Sequence, residues 1–129
     1  MSVKPTITGV DATVAGYIVR GTLATSGTVP STGNGDLIDF TTLGSGPIPF
    51  PPVTSVPYYV DVYEAPAAGT SASGYIYNFS PGTTLKNGKV QVFQSAGSAA
   101  PNGQVTNTAW ATIAPINLSF VAFFSKKGI

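Results

Sequence analysis

Proline and glycine set the grain of this chain. Eleven prolines and fifteen glycines are spread over 129 residues, and the runs left between them are rich in Val, Ile, Tyr, Phe and Thr. None of these runs carries the apolar repeat of an amphipathic helix. They alternate apolar against polar instead, at the two-residue period of a strand with one buried face. Tyr17 to Leu23 puts Tyr17, Val19 and Leu23 on one side and Ile18, Arg20 and Thr22 on the other. Tyr58 to Glu64 sets Tyr58, Val60 and Val62 against Tyr59, Asp61 and Tyr63. Gly74 to Phe79 sets Tyr75, Tyr77 and Phe79 against Ile76 and Asn78, and Lys89 to Gln94 sets Val90 and Val92 against Lys89, Gln91 and Phe93.

A further strand is expected over Asp36 to Thr42, with Leu37, Ile38 and Phe40 as its apolar positions. Another is expected over Asn117 to Ser125, where Leu118, Phe120, Ala122 and Phe124 line one face and Val121 and Phe123 the other. A run apolar on both sides reads as a central strand or as one covered by a partner. Thr6 to Thr13 supplies a first strand, with an N-terminal arm over residues 1–14 as the alternative. The turn signals Pro81-Gly82 and Asn87-Gly88 bracket a short strand around Leu85, and Ala109 to Ile113 reads as a single helical turn. The sum is one all-β domain over residues 1–129, an antiparallel, jelly-roll-like β-sandwich of about seven or eight strands.

Two segments do not alternate. Residues 43–57 hold Pro47, Pro49, Pro51, Pro52 and Pro57, which excludes a central strand and predicts an extended loop. Ile48 and Phe50 are its candidate anchors, either as an arm laid on a neighbouring subunit or packed on their own domain. Ser95 to Gly103 is small and flexible in composition and reads as an exposed loop.

The chain has no His and no Cys, five acidic and six basic residues. A serine nucleophile would lack its histidine base. Asp36 and Asp39, like Asp61 and Glu64, lie three apart and so point to opposite faces of a strand, which predicts solvated carboxylates and no acid/base pair. Gly33-Asn-Gly-Asp36 reads as a hairpin turn, since a calcium loop needs further carboxylates. No catalytic, cofactor-binding or metal-ligating residue is assigned, and the expectation is a non-enzyme. A net charge of +1 with scattered Lys and Arg predicts no nucleic-acid partner. Leu118 to Phe124 is far too short to span a bilayer as a helix, and Met-Ser-Val-Lys-Pro-Thr lacks the apolar core of a signal peptide, so folding in a cytoplasm is expected. At 13.1 kDa a folded monomer exposes roughly 6,400 Å², which leaves each of the eleven charges about 600 Å² of surface. So thin a charge layer implies that part of the neutral surface meets another protein.

Tyr59-Val-Asp-Val-Tyr-Glu-Ala-Pro66 and the run Gly74-Tyr-Ile-Tyr-Asn-Phe-Ser-Pro-Gly-Thr-Thr-Leu-Lys-Asn-Gly-Lys-Val-Gln-Val-Phe-Gln94 resemble small virion proteins of tailed bacteriophages. The resemblance is strongest to those encoded near the capsid gene that coat or cement the head. It implies a β-sandwich bound to the outer capsid lattice, often as a trimer at three-fold or quasi-three-fold positions, with no catalytic residues to carry over. The expected partner is then a major capsid protein, the expected state a homotrimer, and the expected location the capsid exterior after synthesis in the host cytoplasm. Candidate interface residues are Ile48, Phe50, Tyr59, Tyr63, Val121 and Phe123. The alternative expectation is a carbohydrate- or receptor-binding β module of a tail or head fibre, with Tyr and Asp side chains as a sugar platform.

Overall fold

The computed structural model describes residues 3–31, 35–41, 48–53, 55–64, 74–94, 103–106, 108–113 and 118–125. Its elements in chain order are β1 (Val3–Ala12), β2 (Gly16–Thr25), β3 (Asp36–Ile38), β4 (Tyr59–Glu64), β5 (Ile76–Ser80), β6 (Gly88–Gln94), β7 (Gly103–Gln104), the helical turn α1 (Trp110–Ile113) and β8 (Leu118–Ser125). The strands follow one path, β4-β8-β2-β1-β3-β6-β5, with β7 paired to β6 further along from β3. The all-β expectation of seven or eight strands is met, and so is the helical turn.

One link in the path is thin. β1 and β3 run parallel and share only the pair Val3 and Ile38, whereas the other pairings are antiparallel. On either side of that link lie two half-sheets, β4-β8-β2-β1 and β3-β6-β5 with β7, which share one core. At the two ends of the path β4 and β5 come within 8 Å, Cα to Cα, without pairing. The result is a nearly closed barrel, in which the two layers of a sandwich are halves of a single curled sheet.

Two local features of β1 and β2 accompany the curl. The register between these strands shifts between Ile7 and Gly9, so the buried face of β1 changes from Val3, Pro5 and Ile7 to Val10 after the bulge. A bulge of this kind bends its strand and increases the local twist. Beside it, Gly21 of β2 lets β1 come close: a Cβ at this position would stand 2.0 Å from the Thr6 carbonyl oxygen and 2.8 Å from the Phe120 ring. Residues 3–12 are therefore a ten-residue strand paired along its length to β2, which corrects the alternative of an N-terminal arm.

The core is filled by the inward faces that alternation predicts. Val19 and Leu23 of β2, Val62 of β4, Tyr77 of β5, Val90 and Val92 of β6, and Leu118, Phe120, Ala122 and Phe124 of β8 are all buried. Strand β8 is central, between β4 and β2. Trp110 and Ile113 of α1 are fully buried, so the helical turn serves as a plug. The plug is tied down by Val29 N–H donating to Thr108 O and Trp110 N–H to Gly27 O, at 2.9 and 3.0 Å.

Three expectations are corrected. β3 stops at Ile38, and Phe40 lies in the turn that follows, still buried. No strand forms around Leu85: Asn87 accepts from Thr84 N–H at 2.9 Å and donates to Thr83 Oγ1 at 3.0 Å, so a side chain closes the loop into a self-bonded turn instead of presenting a ladder. Asp36 is not solvated but only 3% exposed. Its Oδ2 accepts the Trp110 indole N–H at 2.7 Å and its Oδ1 the Leu37 N–H at 3.0 Å. Asp39 instead closes a local turn, accepting from the N–H and hydroxyl of Thr41.

Candidate functional site: the outer β2-β8-β4 face and the β4–β5 groove

The outward face of a strand is fixed once its inward face is. With Val60 and Val62 turned to the core, Tyr59, Asp61 and Tyr63 must point out from β4. With Phe120, Ala122 and Phe124 buried, Ser119, Val121 and Phe123 must point out from β8. Register then places Ile18, Phe123 and Tyr59 in one cross-strand row and Arg20, Val121 and Asp61 in the next. Phe123 is half-buried and meets both Tyr58, 69% exposed, and Tyr59, 55% exposed, with ring centroids 6.1 and 5.6 Å apart. An apolar, mainly aromatic strip thus crosses three strands, with Arg20 ion-paired to Asp11 at its border (2.6 Å). That pair is about half exposed on both sides and contributes little to stability.

Four of the six candidate interface residues, Tyr59, Tyr63, Val121 and Phe123, therefore lie on the outer face. The other two lie in the proline-rich segment and turn inward. Ile48 and Phe50 pack against this chain's own core, where the Phe50 ring stacks on Phe40 at 6.0 Å and meets Phe124 edge-on at 5.2 Å. Phe50 thus packs against two buried rings, and aromatic pairs in these geometries add about 0.5–1.5 kcal/mol beyond area burial. Residues 48–53 and 55–57 carry no strand, as the prolines require. The turn at Gly33-Asn34 and the small-residue loop over 95–102 lie outside the described residues.

The second feature follows from the missing pairing between β4 and β5. The strands share no ladder, yet they come within 8 Å, Cα to Cα, closer than the roughly 9.5 Å at which a guest strand would hold its flanking strands. The seam remains as an outer groove formed by two clefts of about 460 and 440 Å³, with Asp61, Tyr77 and Asn78 lining both. Beneath them Tyr77 O–H donates to Glu64 Oε1 at 2.6 Å, a strut across the floor. Tyr58, Tyr59 and Gln91 line the first cleft, Tyr63 and Ile76 the second. Sequence reasoning found the tyrosines but missed Asn78 and Gln91 as site residues. Their outward phase was legible in the alternation; the neighbourhood of β4 and β5 was not.

Comparison with protein families, with characterised proteins and with solved structures finds no match to this chain.

Proposed function

We propose that this chain is a structural virion protein that docks on the outer surface of a tailed-phage capsid and bridges adjacent capsomers. The observation that carries the reading is the apolar strip Ile18, Val121, Phe123, Tyr58 and Tyr59, laid across three hydrogen-bonded strands of one sheet. Isolated exposed apolar residues are ordinary on any protein, but a contiguous aromatic strip with a polar rim has the composition of a protein interface. The resemblance of 59–66 and 74–94 to head-coating proteins supports a major capsid protein as the partner. Low surface charge suits a lattice contact, because little charge has to be desolvated on docking. A ligand bound only by the assembled shell stabilises that state by mass action.

The test is to add purified protein to expanded capsids of its own phage and measure stoichiometry and rupture temperature. Binding at a fixed ratio with a raised rupture temperature is expected, and Phe123→Ser and Ile18→Ser should each weaken it. Failure to bind any capsid form would sink the reading. The oligomer is a separate question. Light scattering is expected to show a trimer, and a monomer at all concentrations would make three-fold assembly a property of the lattice.

A further inference from the structure

We infer that the groove over the β4–β5 seam is a saccharide site that takes uncharged oligosaccharides. The clefts fall within the roughly 300–1,000 Å³ typical of small-ligand sites. Along the groove stand three polar side chains, Asp61, Asn78 and Gln91, which make no side-chain hydrogen bond within the described structure. Away from the groove, Asp36, Asp39 and Asn87 hold defined partners within the chain. A carboxylate and two amides that converge unspent offer both acceptors and donors, the set that a run of hydroxyls needs. Exposed tyrosine rings beside them supply apolar faces with a polar tip, suited to the C–H faces of sugar rings.

The same observations exclude other occupants. A peptide strand does not fit between β4 and β5, for the spacing given above. Among the described lining residues of both clefts there is no Lys or Arg; the nearest cation is Lys89, beside Ser80 at one end of the first cleft, so a phosphate or anionic glycan along the groove would meet Asp61 and Glu64 with little counter-charge. Among the described residues no group of three metal-binding side chains exists. Tyr59 and Tyr63 are four residues apart on one strand face, roughly 13 Å at the strand rise, further than one sugar ring spans. The ligand is therefore an oligosaccharide lying along the strands, with Asp61 and Asn78 at its middle.

This site does not rest on capsid docking, and the two separate by variant. Calorimetric titration of the full chain with maltohexaose, cellohexaose, chitohexaose and mannohexaose tests it, with sialyllactose and oligogalacturonate as anionic comparators. At least one neutral hexasaccharide is expected to bind. Asn78→Ala and Tyr63→Ala should each weaken that binding about ten-fold, the loss expected for one good hydrogen bond or ring contact. Ile18→Ser, outside the groove, should leave it unchanged while weakening capsid binding. Both groove variants alter outward side chains, and thermal unfolding checks that they remain folded. If no neutral hexasaccharide binds, if an anionic glycan binds more tightly, or if both groove variants bind like the parent, the proposal is overturned.

Discussion

The two half-sheets of this protein meet at two seams, and the seams are treated in opposite ways. At β1–β3 a single backbone pair, Val3 with Ile38, is backed by the buried hydrogen bond between Asp36 and Trp110. At β4–β5 there is no backbone pair, Tyr77 donates to Glu64 beneath the groove, and Asp61, Asn78 and Gln91 face outward without a side-chain hydrogen bond among the described residues. An aspartate stands near each. Asp36 is enclosed, and both its oxygens accept from this chain; Asp61 is exposed, and among the described residues neither of its oxygens does. A buried carboxylate without donors would be very costly, so the first seam has to be internally complete. The second faces water, where incompleteness costs little and leaves capacity to bind. The first seam is thus closed by internal contacts, and the saccharide site we propose lies at the second.

The largest effect should come from the closed seam. Trp110→Ala removes a fully buried ring and the indole donor of Asp36, and should cost about 4 kcal/mol by analogy with other large-to-small core changes. Urea unfolding measures it; a loss below about 1 kcal/mol would mean that this seam is no more committed than the other. Next is Gly21→Ala, whose added methyl meets the Thr6 carbonyl backbone. A loss of about 3 kcal/mol is expected, at the upper end of overpacking, because the curl that brings β4 toward β5 passes through this approach. A neutral outcome would show that the curl does not depend on it.

Phe50→Ala should cost about 3 kcal/mol, the lower end for truncating a phenylalanine that is only partly enclosed. If thermal unfolding shows no change, the proline-rich segment behaves as a detachable arm after all. The smallest effect belongs to the open seam: Tyr77→Phe removes one part-buried hydrogen bond and should cost about 1 kcal/mol. Amide exchange should quicken in β4 and β5 while β2 and β8 keep their protection. Equal exchange changes in all four strands would erase the distinction between the seams.

Much of the fold was legible because alternation is local. The inward and outward phases of β2, β4, β5, β6 and β8 follow from side-chain period alone, and the doubly apolar run ending at Ser125 was readable as a central strand. Strand β1 was harder to read, since its bulge breaks the period between Ile7 and Val10. Leu85 misled because two turn dipeptides suggest a strand between them, while Asn87 closes the whole segment from the side. Asp36 misled because a lone aspartate is usually solvated, and its donor lies 74 residues away in Trp110. At the candidate site the exposed tyrosines were visible in the sequence. Asn78 and Gln91 gained meaning only beside Asp61, which faces Asn78 across an unpaired seam.

By itself the sequence determined what kind of layer this chain makes: strands of known phase, broken by proline and glycine, with little charge on the outside and no histidine or cysteine. Those properties are fixed by neighbours one or two positions apart, through backbone sterics and side-chain alternation. Tertiary structure alone decided which strand ends lie side by side, that Asp36 is spent and Asp61 is not, and that Phe50 turns inward. These outcomes depend on contacts between residues far apart in the chain, set by how tightly the whole sheet curls.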